Sequence, residues 1–390
     1  MKSFNRNKAL LIVAVLLTVF LAWRMLRPIN IFVVDDKFAL PMEMTVPAGL
    51  ETLLASECGE CHPDHFQEWL GSMHAQAWTD PYYQVDAVFD GSQQICLNCH
   101  IPLQDQQENL VLGFKDKARF KPILKPNPNF NRELQQEGVT CVVCHVRDGV
   151  IVGPYGDTDA PHPTKQDKTL AKGIGVCRKC HVVSGDLWDT FFRIPPCGTV
   201  AEIREGEQPE INCANCHMPV TQRPAATGAL PRRGRMHLWR GGHTQEMVSK
   251  ALKIDLDIDR QSNGTGKATL TVTNTGAAHY LPTGTPDRHL TAKFTIRAKD
   301  GEILKTKTHK LQRTIMWRPF IVDLWDNRLP KNEPRIYTFG WGKSLSERDA
   351  ALEVTVSYHL LDEARRKRIG YKNTEPIAYQ LFQEKYDLGQ

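Results

Sequence analysis

One short pattern, Cys-x-x-Cys-His, recurs five times in this sequence and is suited to redox chemistry. Its ten cysteines are Cys58, Cys61, Cys96, Cys99, Cys141, Cys144, Cys177, Cys180, Cys213 and Cys216. The histidines that directly follow each pair are His62, His100, His145, His181 and His217. Two thiols three positions apart can form thioethers with both vinyl groups of one porphyrin, and the adjacent histidine then binds the iron. The pattern predicts five covalently attached haems c, on motifs numbered here from first to fifth.

Cysteine pairs have other uses, namely zinc binding, redox dithiol chemistry and disulfide bonds. None of these uses needs a histidine directly after every pair. The motifs take up ten of the eleven cysteines and leave only Cys197. One such motif is weak evidence for haem attachment, whereas five motifs with a single cysteine left over are strong evidence.

Each haem iron has a second axial position, so histidines outside the motifs are candidate distal ligands. Of the nine such histidines, five precede residue 250, as all the motifs do. Their positions favour four as distal ligands, namely His74, His162, His237 and His243. His74 is expected on a helix that continues from Cys58. His65 would share a helix face with His62, so it cannot reach the far side of that haem.

Four good candidates leave one of the five irons without an assigned distal ligand. His279, from the C-terminal half, is one solution. A methionine is another, the candidates being Met73, Met218 and Met236. In the third solution, one haem keeps an open position at which a small molecule binds. Spacing along the chain does not choose among the three.

The first motif and the residues after it resemble a known multihaem family, the group of hydroxylamine oxidoreductase and the cytochrome that accepts its electrons. The matching residues are Cys58-x-x-Cys61-His62 and Trp69-x-x-Ser72-x-His74-Ala75. The stretch from His237 to His243 is similar to a late ligand segment of that group. The resemblance covers about residues 55–245. It implies bis-histidine haems stacked in pairs, with His74 bound to the haem of another motif.

This chain also departs from that family. It has five motifs where the electron-accepting cytochrome has four, and it lacks Cys-x-x-Cys-Lys, which marks the catalytic haem of cytochrome c nitrite reductases. Residues 274–284 are similar to loops of β-sandwich domains that are fused to multihaem cytochromes. This second likeness implies that His279 lies against the haem domain.

Residues 1–28 are typical of a targeting segment. Lys2, Arg6 and Lys8 precede an uncharged run over residues 9–23, and Arg24 and Arg27 follow it. An uncleaved signal anchor is favoured, with a transmembrane helix over residues 10–26; a cleaved signal peptide and a buried soluble helix are the alternatives. The positive-inside rule then predicts a single pass through the inner membrane, with the rest of the chain in the periplasm.

The remaining chain divides by composition into a haem part and a β part. A linker over residues 29–50 precedes a mainly helical and irregular pentahaem cytochrome domain, residues 51–245. From residue 250, alternating apolar and polar residues predict an all-β sandwich to residue 362, followed by a C-terminal tail over residues 363–390. The predicted fold class is therefore multidomain, with a transmembrane helix, a haem domain and a sandwich.

Composition and motifs favour electron transfer over catalysis. The formal net charge of +5 does not indicate nucleic-acid binding, and part of the Arg and Lys content suits haem propionates. We expect a carrier whose partners are redox proteins, including a membrane quinol-oxidising or respiratory complex. One alternative is an oxidoreductase that acts on a small nitrogen or sulfur compound at an open haem. Another is a cytochrome subunit of a respiratory complex that docks through its sandwich.

Overall fold

The computed structural model describes residues 6–26, 33–34, 36–117, 119–156, 160–171, 174–181, 185–186, 198–205, 211–316 and 322–388. The chain forms an N-terminal region of short helices and hairpins, which contains all five motifs, and a C-terminal β-rich region. Cys197 lies outside the described residues.

Short helices carry most of the motif residues. The helices that precede residue 206 are α1 (Arg6–Leu26), α2 (Asp36–Ala39), α3 (Ala55–Cys61), α4 (Pro63–Leu70), α5 (Pro81–Phe89), α6 (Gln94–His100), α7 (Arg132–Gln136), α8 (Cys141–His145), α9 (Lys168–Ala171), α10 (Ile174–Cys177) and α11 (Thr199–Glu205). A 3-10 turn covers Gln104–Gln106. Later helices are α12 (Cys213–His217), α13 (Gln245–Ala251), α14 (Lys343–Ser346) and α15 (Glu363–Ile369).

Small sheets brace the loops between the motifs. Their strands are β1 (Val33–Val34), β2 (Asn109–Phe114), β3 (Pro122–Pro126), β4 (Val146–Arg147), β5 (Val150–Gly153), β6 (Thr164–Gln166), β7 (Gly185–Asp186), β8 (Val220–Pro224) and β9 (Pro231–Arg235). The antiparallel pairs are β1 with β7, β2 with β3, β4 with β5 and β8 with β9, while β6 adds to β5 in parallel. These elements are too short to enclose a large apolar core of their own.

The segment predicted to be a transmembrane helix is α1. Its described side chains include exposed leucines, valines and Phe20. Across the described part of the chain, no helix combines the length and apolar character that a membrane span needs. A span takes about 20 predominantly apolar residues, and the uncharged run here covers only residues 9–23. The expected transmembrane helix is therefore not supported.

The helix that begins at Ala55 does not continue to His74. It ends at Cys61, because His62 precedes Pro63 and adopts φ −114° and ψ 54°. A residue before proline is sterically disfavoured in the helical conformation. A new helix, α4, starts at Pro63 and ends at Leu70. His74 therefore lies in a turn, and the continuous helix predicted from the sequence is wrong.

The C-terminal region consists of two antiparallel sheets over one core. Its strands are β10 (Leu252–Arg260), β11 (Gly266–Asn274), β12 (His289–Ala298), β13 (Ile303–Leu311), β14 (Arg313–Met316), β15 (Val322–Asp326), β16 (Pro334–Trp341), β17 (Ala350–His359) and β18 (Ala378–Asp387). The sheet orders are β10–β11–β16 and β13–β12–β17–β18, with β14 and β15 paired separately. Phe294 of one sheet stacks on Phe339 of the other at 5.2 Å. The predicted β-rich C-terminal region is confirmed.

The sheet extends beyond the predicted boundary at residue 362. Residues 363–390 were expected to be a tail, but Ala378–Asp387 forms β18 and pairs along β17 from His359 to Ala351. Tyr379 packs against Tyr358 with ring centroids 5.3 Å apart. Pairing of this strand covers the edge of β17, which would otherwise expose unpaired backbone groups.

A buried ion pair joins the two regions. Arg328 donates to Glu202 of α11 at 2.6 Å, and the two side chains are only 6% and 7% exposed. Arg328 also donates to both carboxylate oxygens of Asp326 and to the carbonyl of Pro282. One guanidinium therefore fixes the end of the haem-motif region against a loop of the β-rich region.

We predict that Arg328→Ala destabilises the protein by about 3–5 kcal/mol, because it leaves Glu202 charged, buried and unpaired. The measurement is guanidinium unfolding followed by circular dichroism. Arg348→Ala is the control, because its 2.8 Å pair with Glu302 is about half exposed on both sides; it is expected to cost at most about 1 kcal/mol. Similar losses in both variants would contradict the structural role assigned to Arg328.

Two histidines form a stacked cross-strand pair in the larger sheet. His289 and His359 lie with ring centroids 4.3 Å apart and planes inclined by 3°. His289 Nδ1 donates to the carbonyl of Asp287 at 2.9 Å. Burial, only partly offset by this hydrogen bond, lowers the pKa of His289 to about 4. The ring is therefore neutral in the folded protein at neutral pH.

Acid should weaken the β-rich region through His289. In the unfolded chain the residue titrates near 6.5, so between that pH and about 4 the unfolded state binds a proton that the folded state does not. Stability should fall as the pH drops through this range, by about 3 kcal/mol in all. Between pH 7 and pH 4, the thermal midpoint of His289→Gln should therefore fall less than that of the unmodified protein. An unchanged pH profile in the variant would contradict this source of acid sensitivity.

Candidate haem sites

All five motifs line one continuous cavity of about 4230 Å³. Protein pockets for a single small molecule usually measure about 300–1,000 Å³. The cavity is therefore large enough for several bulky groups, and its lining is mostly apolar. Motif cysteines and histidines from widely separated parts of the sequence face this shared space.

Backbone carbonyl groups orient four of the five motif histidines. The Nδ1 atoms of His62 and His100 lie 2.6 Å from the carbonyl oxygens of Ala225 and Ala77. His145 and His217 make the same contact, at 2.9 Å with Val152 and at 2.6 Å with Arg240. A carbonyl oxygen can only accept, so Nδ1 carries the proton in each ring. Nε2 is then left as a lone-pair donor, the arrangement usual for metal-binding histidines.

A second histidine faces each of four motif histidines. The pairs and their ring-centroid separations are His62 with His162 at 6.4 Å, His181 with His74 at 6.2 Å, His145 with His237 at 6.0 Å and His217 with His279 at 6.3 Å. Two rings that bind one metal from opposite sides, each with a metal–nitrogen bond of about 2 Å, have centroids roughly 6 Å apart. The four spacings therefore fit bis-histidine haem iron.

Hydrogen bonds and burial also keep the facing histidines in the form that binds a metal. Nδ1 of His237 donates to the carbonyl of Arg235 at 3.0 Å, and Nδ1 of His279 donates to that of Tyr280 at 2.9 Å. Burial and neighbouring histidines lower the pKa values of His74 and His237 to about 3. These side chains are therefore neutral at neutral pH, the state in which imidazole binds a metal.

His100, of the second motif, has a different environment. The ring of Tyr83 stacks on it at 3.7 Å with an interplanar angle of 6°. Burial raises the pKa of Tyr83, and its hydroxyl is enclosed without a hydrogen-bond partner in the described parts of the chain. Among the described histidines, none has its ring within contact distance of His100. The second motif therefore lacks the facing imidazole that the others have.

His243, a predicted distal ligand, contacts no motif histidine in the described structure. Its Nε2 atom faces Arg288 Nη2 at 3.3 Å. Burial, and then the charge of Arg288, lower the pKa of His243 to about 4. His279 instead takes the place opposite a motif histidine. Of the methionines considered from the sequence, Met73 and Met218 line the cavity.

The motifs adjoin one another through their cysteines. Three pairs of motif thiols lie close together, namely Cys58 with Cys141, Cys99 with Cys180, and Cys177 with Cys213. Burial raises the pKa of Cys144 to about 11, with a further contribution from nearby Cys180. The first motif is thus next to the third, and the fourth is next to the second, third and fifth.

Within the described residues, no group of three or more His, Cys, Asp or Glu side chains could hold a metal ion.

Two positioning residues were not predicted from the sequence. Trp239 lies edge-on to both His74 and His237, at 4.8 and 5.1 Å, and so separates two facing histidines. Glu68 accepts from both Nη atoms of Arg223 and from the backbone N–H of His237 at 2.8 Å. Neither residue belongs to a recurring motif. The one sequence signal for Trp239 was its place between His237 and the two glycines before His243.

Comparison with known proteins agrees with this geometry. The family model for cytochrome c554 and c-prime matches residues 57–121, which include the whole of the first and second motifs. No curated protein matches this chain.

One solved structure is similar over most of the chain. A penta-heme cytochrome c552 from Thermochromatium tepidum covers 86% of this chain and 99% of its own, with a TM-score of 0.64 and 19% identity. The TM-score shows that the two proteins share a fold. The C-terminal domain of wzt and a β-glucuronidase from Bacteroides uniformis each cover 35% of this chain, and 72% and 13% of their own. They are 10% and 13% identical, and their TM-scores of 0.18 and 0.16 carry no argument. The family match and the shared fold support a multihaem c-type cytochrome.

Proposed function

We propose that this protein is a pentahaem c-type cytochrome that carries electrons between redox proteins. Each motif would attach one haem through its two cysteines and bind the iron through its histidine. The haem supplies a one-electron Fe(III)/Fe(II) couple, and the chain supplies ligands, spacing and burial. The pairing of four motif histidines with four other histidines is the observation that carries this proposal.

Bis-histidine ligation suits electron transfer rather than catalysis. An iron with two imidazoles has no free position for a substrate, so it can only gain or lose an electron. In this proposal the distal ligands are His162, His74, His237 and His279, for the first, fourth, third and fifth motifs respectively. His74 and His237 are neutral because they are buried, so they need not lose a proton before binding iron.

The contacts between motifs support transfer along a connected series. Electron tunnelling slows steeply with distance, so a conducting series needs its redox groups close together. Contacts among Cys58, Cys141, Cys144 and Cys180 connect the first, third and fourth motifs. The fourth motif then continues to both the second and the fifth. No motif is isolated from the others.

We propose that this electron transfer takes place in the periplasm. The basic residues and uncharged run of residues 1–28 are typical of an export signal, and covalent c-type haems belong to exported chains. The partners would be redox proteins on the donor and acceptor sides, including a quinol-oxidising or respiratory complex.

A second candidate function is the binding or conversion of a small nitrogen or sulfur compound at the haem of the second motif. One observation favours it. No described histidine ring lies opposite His100, whose only stacked neighbour in the described residues is Tyr83, at 3.7 Å beside the ring itself. A five-coordinate iron at this motif would keep one axial position free for a ligand.

Spin state and carbon monoxide binding test both functions. In the oxidised holoprotein we expect four low-spin haems and one high-spin haem, and the reduced form should bind about one carbon monoxide per chain. His279→Ala should convert the haem of the fifth motif to high spin and raise carbon monoxide binding to about two per chain. His243→Ala is the matched control and should leave the number of low-spin haems unchanged, because His243 faces Arg288.

Each alternative gives a distinct spectrum. Five low-spin haems that are inert to carbon monoxide would rule out the second candidate and require a further ligand for the second motif. If His243→Ala, and not His279→Ala, created a new high-spin haem, the proposed pairing of His217 with His279 would be wrong. Fewer than five haems by mass would contradict the haem number itself.

A further inference from the structure

The side chain of Glu137 lies between the helices that carry the first and third motifs. Both of its carboxylate oxygens accept from the backbone N–H of Ala55, the first residue of α3, at 2.9 and 3.0 Å. One of these oxygens also accepts from the hydroxyl of Thr140 at 2.6 Å, and Thr140 directly precedes α8. Neither helix has a hydrogen bond from the side chain of its own N-cap residue. One carboxylate from outside both helices therefore ties their N-terminal ends together.

The two residues after Glu137 pack against the segment that contains His74. The backbone N–H of Val139 donates to the carbonyl of His74 at 2.9 Å, and the carbonyl of Val139 accepts from the indole N–H of Trp69 at 2.9 Å. Gly138 has a φ of +60°, and a Cβ atom there would lie only 2.7 Å from the carbonyl oxygen of His74. These contacts fix the backbone next to Glu137 and so hold its carboxylate against α3 and α8.

This carboxylate has no positively charged partner. Among the described residues, no Lys, Arg or His forms an ion pair with Glu137, and the charged side chain near it is that of Glu133, in α7. Burial raises the pKa of Glu137, and the charge of Glu133 adds to this, although the hydrogen bonds from Thr140 and Ala55 act in the opposite direction. A buried carboxylate is costly unless a positive charge lies nearby. In the holoprotein, ferric haem would supply such a charge.

The charge of Glu137 acts on two motifs at once. Cys58 of the first motif and Cys141 of the third lie close together, and both thiols interact electrostatically with Glu137. Glu57 of α3 adds a second negative charge beside Cys58. Oxidised haem carries one more positive charge than reduced haem, so a fixed negative charge close to it favours the oxidised form. Glu137 is placed to have this effect on both haems.

We infer that Glu137 is a positioning residue shared by the first and third motifs, and that its charge lowers the affinity of both haems for an electron. The inference rests on the proposed electron-transfer function. Because one charge serves both haems, it shifts their reduction potentials in the same direction. Transfer between these two haems is then little affected, whereas the pair as a whole is made a better electron donor to the fourth motif.

The test is a redox titration of the holoprotein, followed by visible spectra. Glu137→Gln removes the charge and keeps an acceptor oxygen of the same reach. At alkaline pH it should raise the affinity of two haems for an electron by about tenfold, which is about 59 mV for a one-electron couple. This difference should vanish in acid, because protonation of Glu137 in the unmodified protein removes the same charge. Glu133→Gln is the matched control and should have little effect, since Glu133 is exposed and solvent screens its charge.

Glu137→Asp separates charge from shape, because it keeps the carboxylate on a shorter side chain. It should retain most of the low electron affinity and its dependence on pH. A shift of the same size in Glu137→Asp and Glu137→Gln, or one that is equal at every pH, would mean that only the shape of the side chain matters and would overturn the inference. Equal shifts in Glu133→Gln and Glu137→Gln would overturn it as well.

The unmodified protein provides a test that does not depend on the folding of a variant. The electron affinity of two of its haems should fall as the pH rises through the range in which Glu137 loses its proton, and constant affinities would contradict the inference. Failure of the proposed function would look different. Peptide mass analysis would then find no haem on the first or third motif, whatever the effect of Glu137.

Discussion

In the proposed function, the central constraint on the haem-motif region is that each of four irons must lie between two imidazoles. The facing rings come from residues far apart in the sequence, such as His74 with His181 and His62 with His162, yet each pair holds a spacing of 6.0–6.4 Å. Among its described residues, the region has small clusters of buried apolar side chains around a cavity of about 4230 Å³. Covalently bound porphyrins would therefore form much of its core, which explains why short helices and hairpins suffice there.

The β-rich region has a different source of stability. Its two sheets bury a continuous set of aliphatic and aromatic side chains, so it does not depend on haem for its core. Asn274, fully buried, donates to the carbonyls of His279 and Leu329 and accepts from the N–H of Ala277. This side chain fixes the loop that presents His279 to His217. In the proposed function, a rigid sheet would thereby position a haem ligand for the region that has little rigid core of its own.

The sequence was most informative where chemistry requires adjacent residues. Attachment of a haem needs two cysteines and a histidine at fixed spacing, so the five motifs could be predicted. The facing ligands carry no such spacing rule, and His243 was preferred over His279 because it follows the last motif closely. In the structure, Arg288 faces His243, whereas His279 lies opposite His217. No sequence pattern indicated the contact between Tyr83 and His100, because this stacking depends on how α5 and α6 pack.

The order of contacts gives the motifs unequal roles. Cys180 of the fourth motif contacts Cys99 of the second and lies near Cys144 of the third, and Cys177 contacts Cys213 of the fifth. In the proposed function, the contacts among the described cysteines make the fourth motif the link from the first and third motifs to the second and the fifth. Its two histidines, His74 and His181, are both buried, and burial favours the iron state with less charge. The environment of this one haem would therefore set how electrons divide between the second and the fifth motif.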